Sequence, residues 1–244
     1  MKTRITLFIM LISLISLYGQ FSLDLETGLN FSGYNDLKIP NDAVSSDLSL
    51  SEELDSPIVW ASRANLHYLI HPRHELSLLY APLTINAKGT VNRDILYQGE
   101  VFDAGEEIKA KYRFDSYRLQ YLYRFPNQNG IVRGLGLSLK LRDAAITLEN
   151  TDTKATKPNT GFVPLIGFEF GYLIREDLDL LLKGEALASP YGRAEDVILS
   201  LNYKINEDYS LFGGYRILEG GADNDEVYTF SLFHYAMIGA RIKF

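Results

Sequence analysis

The final segment, Tyr228–Phe244, constrains the fold more than any other stretch of the chain. Read backwards by twos, Phe244, Ile242, Ala240, Ile238, Ala236, His234, Leu232, Phe230 and Tyr228 share one parity, while Arg241 and Lys243 fall on the other. Successive side chains of a strand point to opposite sides of the sheet. The segment therefore offers one almost wholly apolar face and one that carries charge. It is also longer than the roughly 9–11 residues that a tilted strand needs to cross a bilayer. Lipid on one side and a polar interior on the other satisfy such a pattern; water on both sides does not.

The same alternation recurs along the chain. It predicts strands over 21–34, 58–70, 74–88, 111–125, 131–149, 161–175, 178–188, 193–206, 209–218 and 228–244. Leu135, Leu137, Leu139 and Leu141 alternate with Gly136, Ser138, Lys140 and Arg142, for example. The connections alternate too. Those at 71–73, 126–130, 175–177 and 206–208 are short, whereas 35–56, 89–110, 150–160 and 219–226 read as longer polar loops, with residues 94–102 able to pair as an extension of neighbouring strands. Ser189–Gly192 departs from the pattern, being short among the long connections. A soluble sandwich or lipocalin-like barrel would need a polar outer face, which the Leu, Tyr and Phe parity denies.

Ahead of the strands, Lys2 and Arg4 precede an apolar run, Ile5–Leu17, with Gly19 as a small residue before a cleavage point. This reads as a secretory signal peptide over 1–19, leaving one domain over 20–244. Without Lys2 and Arg4 the 24 basic residues become 22 against 31 acidic ones, a net charge of −9 that argues against nucleic acid as a partner. The absence of cysteine excludes disulfides and thiolate metal sites.

With its signal segment, its alternating strands and its C-terminal Phe244, the chain resembles small bacterial outer-membrane β-barrel proteins. The resemblance implies an all-β, transmembrane, antiparallel up-and-down barrel of ten strands, with eight or twelve as alternatives. It also implies export to the outer membrane, contact with its lipid and lipopolysaccharide, recognition of the C-terminal strand by the barrel-assembly machinery, and a monomer.

Function is less legible. The inward parity carries acids and bases in similar numbers, among them Asp24, Arg63, His67, Glu75, Arg118, Arg124, Glu169 and Arg241. In a narrow interior these must pair, so the reading is a polar, largely plugged lumen with a structural or surface-interaction role. A narrow pore for small solutes is the alternative. A lipid A-modifying enzyme or protease with a site at the outer rim is the second. At that rim Arg142, Asp143, Arg193 and Arg216 are candidates for binding an anionic head group, and Glu185, Asp196 and Glu219 for activating water.

An enzymatic role is the less favoured. His71 and His74 flank a short turn, His67 lies low in its strand, and His234 falls on the lipid parity, away from Ser231. Known barrel hydrolases that depend on histidine, such as omptin proteases and lipid A deacylases, are thereby disfavoured. The acidic turn Asp223-Asn224-Asp225-Glu226 lacks the spacing of a calcium loop and reads as an ordinary solvated turn, so no metal or cofactor is expected.

Overall fold

The computed structural model describes residues 21–244; the signal segment expected over 1–19 lies outside the described residues. Fourteen strands follow in order: β1 (Phe21–Lys38), β2 (Leu48–Ser49), β3 (Val59–His71), β4 (His74–Ala81), β5 (Thr84–Thr90), β6 (Ile95–Tyr97), β7 (Glu100–Phe102), β8 (Glu107–Arg124), β9 (Ile131–Glu149), β10 (Lys154–Arg175), β11 (Leu178–Ser189), β12 (Gly192–Lys204), β13 (Tyr209–Asp223) and β14 (Tyr228–Lys243). Each wall strand is antiparallel to its neighbours, and β14 returns to pair with β1 from Ser22↔Lys243 to Lys38↔Tyr228. The sheet closes as a ten-stranded barrel, with β4 and β5 counting as one strand of the wall. Closure removes both sheet edges, as a structure surrounded by lipid requires.

Pro82 accounts for the break between β4 and β5. Without an amide hydrogen it interrupts the ladder, and beyond it Leu83 and β5 pair with β8 and no longer with β3. The outward parity is apolar all round: Trp60 is 71% exposed, Leu137 69% and Phe162 70%. A belt of this kind is stable only in lipid.

The expectation of long polar loops needs correction. The connection expected over 150–160 is a turn at 150–153, because β9 and β10 continue as a paired ladder to Glu149↔Lys154. The one expected over 219–226 shrinks likewise, with β13 running to Asp223. Residues 95–102 form their own hairpin, β6–β7, in a separate two-stranded sheet instead of extending the wall.

The two long connections, 39–58 and 91–106, fold into the end of the barrel. They bring Ile39, Leu48, Leu50, Leu54, Ile95, Tyr97 and Phe102 into one apolar core with wall residues such as Leu37, Ile108, Leu148 and Phe233. Backbone bonds from Ser46 to Leu96 and from Gln98 to Ile39 tie the connections together. Tyr97, 1% exposed, donates its hydroxyl to the carbonyl of Ile146 on β9 at 2.9 Å. The barrel thus has an apolar plug at its long-connection end and leaves its charge to the other half.

Candidate functional site

Below the plug, inward side chains form two systems of ion pairs and hydrogen bonds. Asp196 on β12, 3% exposed, receives Arg63 at 2.8 Å, Arg118 at 2.6 Å and Arg216 at 2.5 Å. Arg216 also reaches Glu26 at 2.7 Å, and Arg118 reaches Glu185 at 2.6 Å. Gln120 donates a further bond to Glu185 at 2.8 Å.

Nearer the short-turn end, Arg124 bridges Glu75 and Glu169 at 2.8 and 2.7 Å. His67 lies between Glu75 and Asp24 at 2.9 and 3.1 Å, and Arg241 completes the series on Asp24 at 2.6 Å. Because β1, β3, β4, β8, β10, β11, β12, β13 and β14 all contribute, the ion pairs cross-link the barrel around its circumference. A small cavity of about 80 Å³ remains among them. The glycines of the inward parity leave room for these side chains. A Cβ at Gly167 would lie 2.6 Å from the Gln120 amide nitrogen that donates to Glu185.

Between this network and the mouth, beside the plug, lies a larger cavity of about 360 Å³ walled by β8 to β14. Its apolar lining includes Phe114, Ile146, Val163, Leu187, Leu218 and Phe233. Its cations are Lys140, Arg142 and Lys157 on the inward parity of β9 and β10, with Arg193, paired to Glu219, at its edge. Lys157 has Glu226 at 3.6 Å, at the exposed rim. Arg142 donates to Asn159 at 2.8 Å, yet its Nε has no partner. Lys140 is 4% exposed and pairs in register with Arg118, another cation. Its ammonium lies 4.6 Å from the centre of the Phe114 ring, and among the described residues no carboxylate comes within ion-pair distance of it. A buried ammonium is costly without a counter-charge. The cavity is thus a cationic cup above a floor whose acids are already engaged.

The residues singled out from sequence divide among three places. Glu185, Asp196 and Arg216 lie in the mid-barrel network, below the rim expected for them. Arg142 lines the cup. Asp143, its neighbour in sequence, has the opposite parity and sits on the outer wall, where Arg113 holds it at 2.8 Å. Convergence of Arg142 and Asp143 on one mouth is therefore corrected, since adjacent strand residues face opposite ways. Arg193 and Glu219 also share the outward parity of their strands; they pair with each other at 2.8 Å beside Tyr34 and Phe230 at the cup's edge. In the 223–226 turn it is Asn224 that caps the backbone, its side-chain oxygen accepting the amides of Glu226 and Val227, while Asp223 accepts from the Asn41 side chain. Lys140 was visible only as one inward charge among many; its isolation depends on strand register, which places Arg118 rather than an acid beside it.

No protein-family model matches the chain, and neither does any curated protein sequence. Solved structures do match. The outer-membrane protease OmpT of Escherichia coli superposes with a TM-score of 0.58 at 11% identity, over 92% of this chain and 97% of that one. The translocator domain of the autotransporter NalP from Neisseria meningitidis gives 0.49 at 8% identity, over 100% and 98% of the two chains. Ail, the attachment invasion locus protein of Yersinia pestis, gives 0.38 at 9%, over 92% and 99%. The fold is that of bacterial outer-membrane β-barrels, and the apolar outer belt requires the lipid that such barrels occupy. At these identities the likeness concerns the fold alone.

Proposed function

We propose that the protein is a non-conducting outer-membrane barrel with its long connections facing outward, and that it presents the cup to the cell surface as a binding site for an anionic group. The observation that carries this reading is Lys140, buried with no carboxylate among the described residues at ion-pair distance, and flanked by Arg142, whose Nε has no partner. Burying such a charge destabilises the fold, and a ligand anion supplies the missing counter-charge. A surface-interaction role follows, with the ion pairs below the cup closing the route to the periplasm.

The alternatives find less support. A pore would have to pass ions through side chains already bonded across the lumen. Glu185 and Asp196 each accept arginine, which commits both side chains to structural ion pairs rather than leaving them to activate water. Pyrophosphate, titrated calorimetrically into the folded protein in zwitterionic micelles, tests the cup. Saturable binding lost in Lys140→Gln is expected; binding unchanged in that variant contradicts the reading.

A further inference from the structure

The wall of the cup is incomplete between β10 and β11. These strands pair from Ile166↔Ala186 down to Arg175↔Leu178 and no higher. Above Ile166, β10 continues along β9 to Lys154, while β11 ends at Ser189 and turns at once into β12. Val163–Leu165 and Leu187–Ser189 therefore face each other as unpaired lips.

The sequence of β10 keeps them apart. The amide of Leu173 donates to the carbonyl of Gly130, on the β9 side. The register with β9 is unbroken to Lys154, so along β10 odd-numbered amides point to β9 and even-numbered ones to β11. Pro158 and Pro164 are even-numbered. Pro164, in the lip itself, has no hydrogen to give across the seam, and Pro158, above the level of Ser189, continues the donor-free edge.

The barrel's other interruption, between β3 and β5, is treated differently. There the first long connection lies across the gap: Asp55 and Lys88 exchange backbone bonds, and Leu54 packs against Gly89. Among the described residues nothing bridges β10 and β11 in this way.

Height and chemistry then agree. Pro164 is level with Leu139 and Phe162 with Leu141, so the lips open within the apolar belt, not above it. Immediately inside, Val163 is the register partner of Lys140 and Gly161 that of Arg142. A chain passing through the seam meets Val163 and Leu187, and behind them the two cations without acids.

We propose that this seam is a lateral entrance through which an anionic lipid of the surrounding leaflet enters the cup, its phosphate held by Lys140 and Arg142 and its acyl chains passing outward between Pro164 and Ala188. The inference rests on the anion-binding reading of the cup. It adds that the ligand arrives from the membrane rather than from solution.

The test uses the full barrel in phosphatidylcholine nanodiscs containing phosphatidylglycerol, with bound lipid counted by native mass spectrometry after gentle extraction. The chain has no cysteine, so a Pro164→Cys/Ala188→Cys pair can be oxidised selectively to lock the lips. The wild type is expected to retain phosphatidylglycerol, and Lys140→Gln to lose it. The oxidised pair should lose the lipid and regain it on reduction, while still binding pyrophosphate through the open mouth. A Pro158→Val/Pro164→Val variant, which restores both amides, should lower lipid retention in the same way without any cross-link. Phosphatidylglycerol retained equally in the locked and opened forms, or not retained by a wild type that binds pyrophosphate, overturns the entrance and leaves the cup. A wild type that binds neither overturns the cup as well.

Discussion

At the scale of single residues, the interior separates two kinds of buried charge. Asp196 is held by three arginines, so removing it leaves Arg63 without its anion and takes one of two from Arg118 and Arg216, in a site closed to water. Asp196→Ala is expected to cost about 3–5 kcal/mol, read from urea unfolding in lipid vesicles. A change within about 0.5 kcal/mol would show that the network contributes nothing net. Lys140 is the opposite case. Its ammonium has an aromatic ring beside it and no acid within ion-pair distance among the described residues, so Lys140→Met should raise the unfolding midpoint while abolishing pyrophosphate binding. A lowered midpoint would mean that an unseen partner stabilises the ammonium. Steric limits act at the same scale: a Cβ at Gly136 would lie 2.2 Å from the carbonyl oxygen of Tyr121, which no side-chain adjustment relieves. Gly136→Ala should therefore destabilise by roughly 1–3 kcal/mol in the same assay, as overpacked positions do.

At the scale of elements, the connections behave as core rather than as solvated loops. Tyr97 fixes the β6–β7 hairpin through one buried hydrogen bond, and Tyr97→Phe leaves the Ile146 carbonyl without that donor. A loss of about 1–3 kcal/mol is expected, together with faster proteolysis within 91–106. Arg93 pins the first connection to the second through Glu53. Burial works to raise the Glu53 pKa, but the bonds from Arg93 and the Ser49 amide outweigh it and hold the carboxyl below its ordinary range. This contribution is present above the unfolded carboxylate pKa and is lost as pH falls through the lower folded value. Proteolytic nicking of these connections should rise only once pH falls below the ordinary carboxylate range, and Glu53→Gln should remove that pH dependence.

The strands were legible because lipid and lumen impose period 2 on every one of them, as in Leu135–Arg142. The plug was not. Its core residues, such as Leu48, Leu54, Ile95 and Phe102, are scattered among acids and glycines with no period, and they become a core only when two distant connections meet. The seam was half legible: Ser189–Gly192 is visibly too short, yet its consequence depends on which way the amides of Pro158 and Pro164 would have pointed. Arg142 was correctly read as inward, whereas Asp143 beside it was assigned to the same mouth against the alternation that places it outside.

At the scale of the whole molecule, the barrel is filled from both ends by different physics. Hydrophobic burial fills part of the end that carries the long connections, beside the cup, and ion pairs close the other. Between them a cationic cup opens toward the mouth and, through the β10–β11 seam, toward lipid. The central claim is that this interior is sealed. Single-channel recording of the purified protein in a planar bilayer tests it most directly, with folding verified by heat-dependent gel mobility. The account predicts a silent membrane for the wild type. Stable conductance steps from folded wild-type protein would contradict it and make solute passage the function to pursue.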